Sequence, residues 1–301
     1  MSGPVNDRPV LAGALGALVI AFSAILVKLA EVSPATSAFF RCAYAVPVLG
    51  LLAWIERRRY GPRPRKERLL TLGAGVLFAA DLIFWHYSIA AVGAGLATVL
   101  GNIQVVLVAL LAWLALGERP PDRTLAAIPV VFIGVVLISG VVGAGAYGED
   151  PLLGVIYGVL TAISYAVFLL VLRHGNADLR RPAGPLFDAT LVAAIACAVA
   201  GVAIGDIDFA PDLEAQAWLV LLALSSQVLG WLLISVSLPR LPAAVTSILL
   251  MLQPVSTVFL GAVLLSEAPS AVQLSGVAIV LAGVAFATIQ PTSRKRPVST
   301  S

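Results

Sequence analysis

The chain has 301 residues, of which 60% are apolar and only 12% charged, with a mean hydropathy of +1.00. A soluble domain carries about twice that share of charge, so most of this surface must face lipid and a water-soluble catalytic domain has nowhere to fit. The formal charge of +3 is read as a topology signal and not as a nucleic-acid footprint.

Asp, Glu, Lys and Arg are absent from residues 9–27, 82–117, 124–148, 151–172, 215–239, 241–266 and 268–293. A bilayer-crossing helix needs about 20 residues, and 82–117 is long enough for two. The reading is therefore an all-α polytopic membrane protein with ten spans, at 10–30, 35–55, 69–89, 92–114, 124–142, 151–172, 184–205, 215–236, 241–264 and 271–289. Val92-Gly93-Ala94-Gly95 divides the long apolar run, because closely spaced glycines suit a tight turn. The first span follows no signal-peptide pattern and is expected to be retained as a helix. Cys42 and Cys197 both fall in apolar segments and read as buried thiols, not as a disulfide framework or metal set. No metal and no cofactor is expected.

Charge in the loops alternates by side. The run ERRRYGPRPRKER at 56–68 holds seven basic residues. With Arg8, Arg119, Arg123, Arg173, Arg180, Arg181, Arg240 and Arg294-Lys295-Arg296, one side collects 17 of the 19. The opposite loops carry Glu149, Asp150, Asp206, Asp208, Asp212 and Glu214 and no basic residue. Basic loops stay cytoplasmic, which predicts a multi-pass protein of the bacterial inner membrane with both termini inside.

Residues 91–138 align with 240–287 without a gap, 12 of 48 positions being identical. The matches include Gln104 with Gln253, Glu118 with Glu267 and Pro120 with Pro269. Five spans per half would set the halves in opposite orientations, so the fold class expected is two inverted five-helix repeats. The first would occupy 1–147 and the second 148–290, with a basic tail at 291–301. Inverted repeats are a basis for alternating access.

The ten spans, the repeated unit ending in LGERPPDRTLAAIPVVFIGVVLISG, and the run AFSAILVKLAEVSPATSAFFRCAYAVPVLGLL together resemble the EamA family of the drug/metabolite transporter superfamily, over nearly the whole chain. The overall look is similar to bacterial aromatic-amino-acid exporters. The resemblance implies spans 3, 4, 8 and 9 at the centre, spans 1, 2, 6 and 7 around a substrate path, and spans 5 and 10 at the periphery. It also implies a role in moving amino acids, metabolites or drugs.

Polar residues at midplane mark the candidate site. Asp81, Gln104, Gln227 and Gln253 each lie 12 residues into their spans, about 18 Å deep in a core of about 30 Å. Such groups face the bundle or a wet cavity. Phe78, Asp81, Trp85 and Ser88 share a stripe, as do Gln227, Trp231 and Ser235, and Tyr165 joins them from span 6. The expected substrate-binding set is Phe78, Asp81, Trp85, Asn102, Tyr165, Gln227, Trp231 and Gln253, with amides holding the polar end of a ligand and rings packing against the rest. Asn102 and Gln104 are two residues apart and are expected on different faces. Asp81 is read as a substrate-amine ligand, a proton-coupling group or a structural tie. Lys28, Arg41, His86 and Pro254 are gate or coupling candidates. Lys28, Glu31 and Arg41 would cluster at an outer rim, as a gate or an ion pair. His86 would titrate or donate to a carbonyl, and Pro254 would bend its helix.

Alternating-access export of amino acids, aromatic ones included, is the leading function, with drug or other metabolite export as the alternative. An intramembrane enzyme is the competing class, but no His-Glu-x-x-His motif occurs and only His86 and His174 are present. The partners expected are a small-molecule substrate and membrane lipid, with no nucleic acid and no obligatory protein partner.

Overall fold

The computed structural model describes residues 8–117, 119–175, 178–237, 240–241 and 243–288. Glu118 and the basic tail at 291–301 lie outside them. Every regular element among the described residues is helical: α1 Pro9–Leu29, α2 Pro34–Ala43, α3 Ala45–Tyr60, α4 Arg65–Val92, α5 Ala94–Gly101, α6 Gln104–Leu116, α7 Asp122–Ile138, α8 Pro151–Gly175 and α9 Ala183–Ile204 follow in order. After them come α10 Leu213–Leu222, a π-helical stretch Ala223–Gly230, α11 Trp231–Ser237, α12 Ala243–Leu264 and α13 Ala271–Thr288.

Seven helices among the described residues are long and apolar enough to cross a membrane: Pro9–Leu29, Pro34–Tyr60, Arg65–Val92, Ala94–Leu114, Pro151–Leu172, Ala183–Ile204 and Leu213–Ser237. This corrects the expectation of ten spans arranged as two inverted five-helix repeats. The expected span at 124–142 falls short because a charge-free run is not the same as an unbroken helix. α7 stops at Ile138, where Ser139 closes the last turn and Gly140 takes a left-handed φ of 73°. Its 17 residues reach only about 26 Å at 1.5 Å per residue. Among the described residues, the apolar stretches counted for α12 and α13 are Leu249–Leu264 and Ala271–Ala287, under 18 residues each.

The outer surface is apolar, with Leu51, Val76, Phe132, Ile195, Val199 and Phe259 all exposed, as lipid-facing residues must be. Between helices in lipid, close packing and hydrogen bonds replace the hydrophobic drive, and small residues permit the approach. A Cβ on Gly154 would come within 2.5 Å of Val92, and one on Gly158 within 2.6 Å of Leu100, so α8 packs closely along α4 and α5. Gly75 brings α4 against the Ala189 carbonyl of α9. The short α7 and α13 pack mainly on each other through Gly134 and Gly276.

Two sets of polar contacts tie the ends of the bundle. At the acidic end, the Glu267 carboxylate accepts the Ala94 and Gly95 N–H groups at 2.5 and 3.0 Å. It thereby satisfies two of the orphan donors at the start of α5. Tyr87 donates to Asp206 at 2.6 Å, and Ser33 donates to the Asp206 carbonyl at 2.7 Å. At the basic end, Arg63 donates to Asp188 at 2.8 Å and to the Gly175 carbonyl at 2.9 Å, while Thr71 donates to Asp188 at 3.0 Å. Burial pushes the Arg63 guanidinium below its ordinary pKa, and the Asp188 carboxylate opposes that shift.

Candidate functional site

A cavity of about 120 Å³ lies where α1, α2, α4, α5, α6, α8, α11 and α12 converge. That is room for several waters, each of which needs about 10–15 Å³ on this measure. Its polar lining includes Ser23, Arg41, Asp81, Thr98, Asn102, Gln104, Thr161 and Gln253, and its rings are Phe78, Trp85, Tyr165 and Trp231.

Arg41 is the centre of its electrostatics. It lies seven residues past Pro34, about 10 Å into the span, and is 4% exposed. Its Nε donates to Gln227 Oε1 at 3.1 Å and its Nη1 to Ser23 Oγ at 2.8 Å. The guanidinium sits over the Trp85 ring, 5.4 Å from the centroid, a cation–π arrangement that favours a desolvated cation. Gln227 is fully buried, and its Nε2 donates in turn to Thr190 Oγ1 at 3.1 Å. The amide thus holds the arginine from behind. Nη2 of Arg41 has no acceptor among the described residues, so donors of this planar fork remain free on the cavity side.

Asp81 lines the same cavity and is 7% exposed. Its backbone carbonyl accepts from Thr161 Oγ1 at 3.4 Å, but its carboxylate has no hydrogen bond or ion pair among the described residues. Arg41 and Asp81 therefore present opposite charges to one space without an ion pair of 4 Å or less between them. Arg41 is partly satisfied by Gln227, Ser23 and Trp85, whereas an Asp81 carboxylate ionised there without a partner would cost several kcal/mol, which a bound ammonium would offset.

The apolar wall is an aromatic cluster. Phe78 stacks on Phe168 with centroids 4.8 Å apart, Trp231 meets Phe78 edge-on at 5.8 Å, and Tyr165 lies 6.1 Å from Trp231. Such contacts add about 0.5–1.5 kcal/mol each beyond area burial.

Two irregularities shape the lining. Between α5 and α6 the backbone tightens into i→i+3 hydrogen bonds, from Ile103 N–H to the Leu100 carbonyl and from Val106 N–H to the Ile103 carbonyl. The turn winds more tightly than an α-helix. Across Leu222–Trp231 the chain widens instead into the π-helical stretch, which contains Gln227 and hands over to Trp231. Both kinds of departure recur at functional sites.

The EamA-like transporter family model matches residues 8–140 and again 152–289. The chain belongs to this family. It is a polytopic membrane transporter, not an enzyme. It is 27% identical over 258 residues to the uncharacterized transporter YxxF of Bacillus subtilis (strain 168), a match covering 84% of this chain and 80% of that one. A solved crystal structure superposes with a TM-score of 0.61 at 18% identity, covering 94% of this chain and 96% of the other, which speaks to the fold alone.

Of the eight residues expected to bind substrate, the transporter brings Phe78, Asp81, Trp85, Asn102, Tyr165, Trp231 and Gln253 to the cavity. Gln227 is not at the wall but behind Arg41. Asn102 and Gln104 both line it, contrary to the expectation of different faces, because the tightened turn between them removes the regular 3.6-residue rotation. Asn102 Nδ2 donates to the Thr98 carbonyl at 2.9 Å, while Gln104 Oε1 is buried without a partner.

Arg41 is not at an outer rim with Lys28 and Glu31. Seven residues past the helix start at Pro34, its guanidinium turns inward to Gln227 and Ser23 instead of out to the rim. Lys28 is outside the cavity lining, half-buried, with no ion pair to the exposed Glu31 among the described residues. His86 is also outside the lining. Its Nδ1 lies 2.5 Å from the Leu82 carbonyl and its Nε2 is buried without a partner. Pro254 lies inside α12, next to Gln253. It cannot donate to the carbonyl four residues earlier, on Leu250, which lines the cavity.

Sequence reasoning missed Ser23, Thr161 and Thr190. The first two hold or line the site and the third anchors Gln227. All three are small hydroxyl residues in apolar runs, and nothing in their spacing separates them from packing residues.

Proposed function

We propose that the protein exports amino acids, aromatic ones included, across a bacterial inner membrane with the basic loops on the cytoplasmic side. The observation that carries the reading is the pair of buried, oppositely charged, mutually unbonded side chains on one cavity. Arg41 offers free guanidinium donors to a carboxylate, and Asp81 offers a carboxylate to an ammonium. Trp85, Tyr165 and Trp231 give the side chain of a substrate an aromatic surface. A zwitterion completes both charges, which a purely apolar drug does not. The cavity is exposed to one face of the membrane at a time, and the tight turn at 102–103, the π-helical stretch and Pro254 supply adjustable backbone beside it.

The test is counterflow in proteoliposomes over a panel of amino acids, their amides and their desamino acids. Protein-dependent exchange of unmodified amino acids, with phenylalanine or tryptophan among the best and both single-charge analogues poor, is the expected outcome. Exchange that ignores either charge, or none across the panel, overturns the reading.

A further inference from the structure

The basic end of the bundle holds a second cavity, of about 210 Å³, that shares no residue with the central one. Its inner part is apolar, formed by Gly50, Ala53 and Trp54 of α3 and Phe187 of α9. Its outer part carries Arg57, Arg63, Arg68 and Arg181 against Glu56 and Asp188, two cations in excess.

The two carboxylates are already committed. Glu56 accepts the Ala183 and Gly184 N–H groups at 3.0 and 2.8 Å, at the start of α9. Asp188 holds Arg63 and Thr71. Arg181 is committed too, donating to Asp178 at 3.0 Å and to the Gly61 carbonyl at 3.1 Å. Arg57 has no side-chain partner among the described residues. Arg68 only approaches Asp188 at 3.8 Å and is half exposed. These two guanidinium groups face the cavity with their donors open.

The gradient from apolar to cationic follows the helix axis. Gly50 precedes Arg57 by seven residues on α3, about 10 Å along the axis. Glycine there keeps the inner part open, since even a Cβ would lie 3.0 Å from the Phe187 ring. A soluble anion would use only the outer rim. A molecule with a charged phosphate above an apolar body uses the whole length, and the exposed Trp54 beside it is a residue of the membrane–water boundary.

We propose that this cavity seats an anionic phospholipid, its phosphate on Arg57 and Arg68 and its glycerol and upper acyl segments on Gly50, Ala53, Trp54 and Phe187. Basic pockets between helices at the membrane surface are suited to such headgroups. The lipid joins the α3 end to the α9 start from outside, next to the Arg63–Asp188 contact.

The experiment is native mass spectrometry and thermal melting of the purified full chain with short-chain phosphatidylglycerol, phosphatidylcholine of equal chain length, or inorganic phosphate. The double variant R57Q/R68Q is compared with R65Q/K66Q, which removes the same charge from exposed residues that do not line the cavity. Phosphatidylglycerol is expected to be retained and to raise the melting temperature saturably, at an apparent affinity at least about tenfold above phosphatidylcholine. Inorganic phosphate is expected to have no such effect. R57Q/R68Q loses the preference and R65Q/K66Q keeps it. Equal binding of the two lipids, an equal effect of free phosphate, or equal loss in both variants overturns the proposal.

Discussion

The Asp81→Asn substitution isolates one half of the proposed zwitterion site. The carboxylate makes no internal hydrogen bond or ion pair among the described residues, and asparagine has nearly the same shape, so the change removes no contact that holds the fold. The cost should fall on a ligand ammonium alone. A hydrogen bond to a charged partner contributes about 1.5–3 kcal/mol, which is about ten- to 150-fold in affinity. The assay is inhibition of phenylalanine counterflow by phenylalanine and by 3-phenylpropionate, which lacks the amine. In the unsubstituted protein phenylalanine should be the stronger inhibitor by about that factor. In the variant its advantage should vanish while 3-phenylpropionate binds as before. The melting temperature should hold or rise, because a buried unpartnered charge has been removed. An undiminished advantage, or equal weakening of both compounds with an unchanged melting temperature, refutes the assignment of Asp81 to the amine.

Gly75→Ala should destabilise by about 1–3 kcal/mol from overpacking, since its Cβ would fall 2.5 Å from the Ala189 carbonyl. Gly73→Ala two residues away, with nothing within 4 Å, should be neutral or slightly stabilising, and thermal melts of the two separate packing from helix propensity. Glu267→Gln should cost about 2 kcal/mol, because a charged acceptor of two backbone N–H groups becomes an amide that can satisfy only one of them. Faster hydrogen exchange at Ala94 and Gly95 is the readout, and unchanged protection there would remove the cap from the account.

Depth along a helix was legible in the residues; the route of the backbone was not. Counting from span ends placed Asp81 and Gln253 on a common level, and both reach the cavity. The count works because lipid forces helices and fixes their rise. Arg41 was placed at the rim by its charge and not by the count, which puts it about two turns inside a span starting at 35. The start of α2 at Pro34, with Ser33 accepting the Thr36 N–H, was legible to within a residue; the inward partners of the guanidinium, Gln227 and Ser23, were not. Gln227 was recognised as buried but not as a support, because its partner Arg41 is 186 residues away in sequence. The length of α7 was invisible as well, its terminus being set by Ser139 and Gly140 inside a stretch with no charge to mark it.

The wide turn from Ala223 to Gly230 carries a further consequence. An i→i+5 ring fits more residues into each revolution than the ordinary 3.6, so the segment holds slack in its winding. Drawing that slack in would swing everything beyond it about the axis, one residue corresponding to about 100°, and Trp231 sits at the first position to feel it. The aromatic face that walls the cavity is thus mounted on a coil able to wind and unwind, while Gln227, within the coil, stays tethered to Arg41 and Thr190.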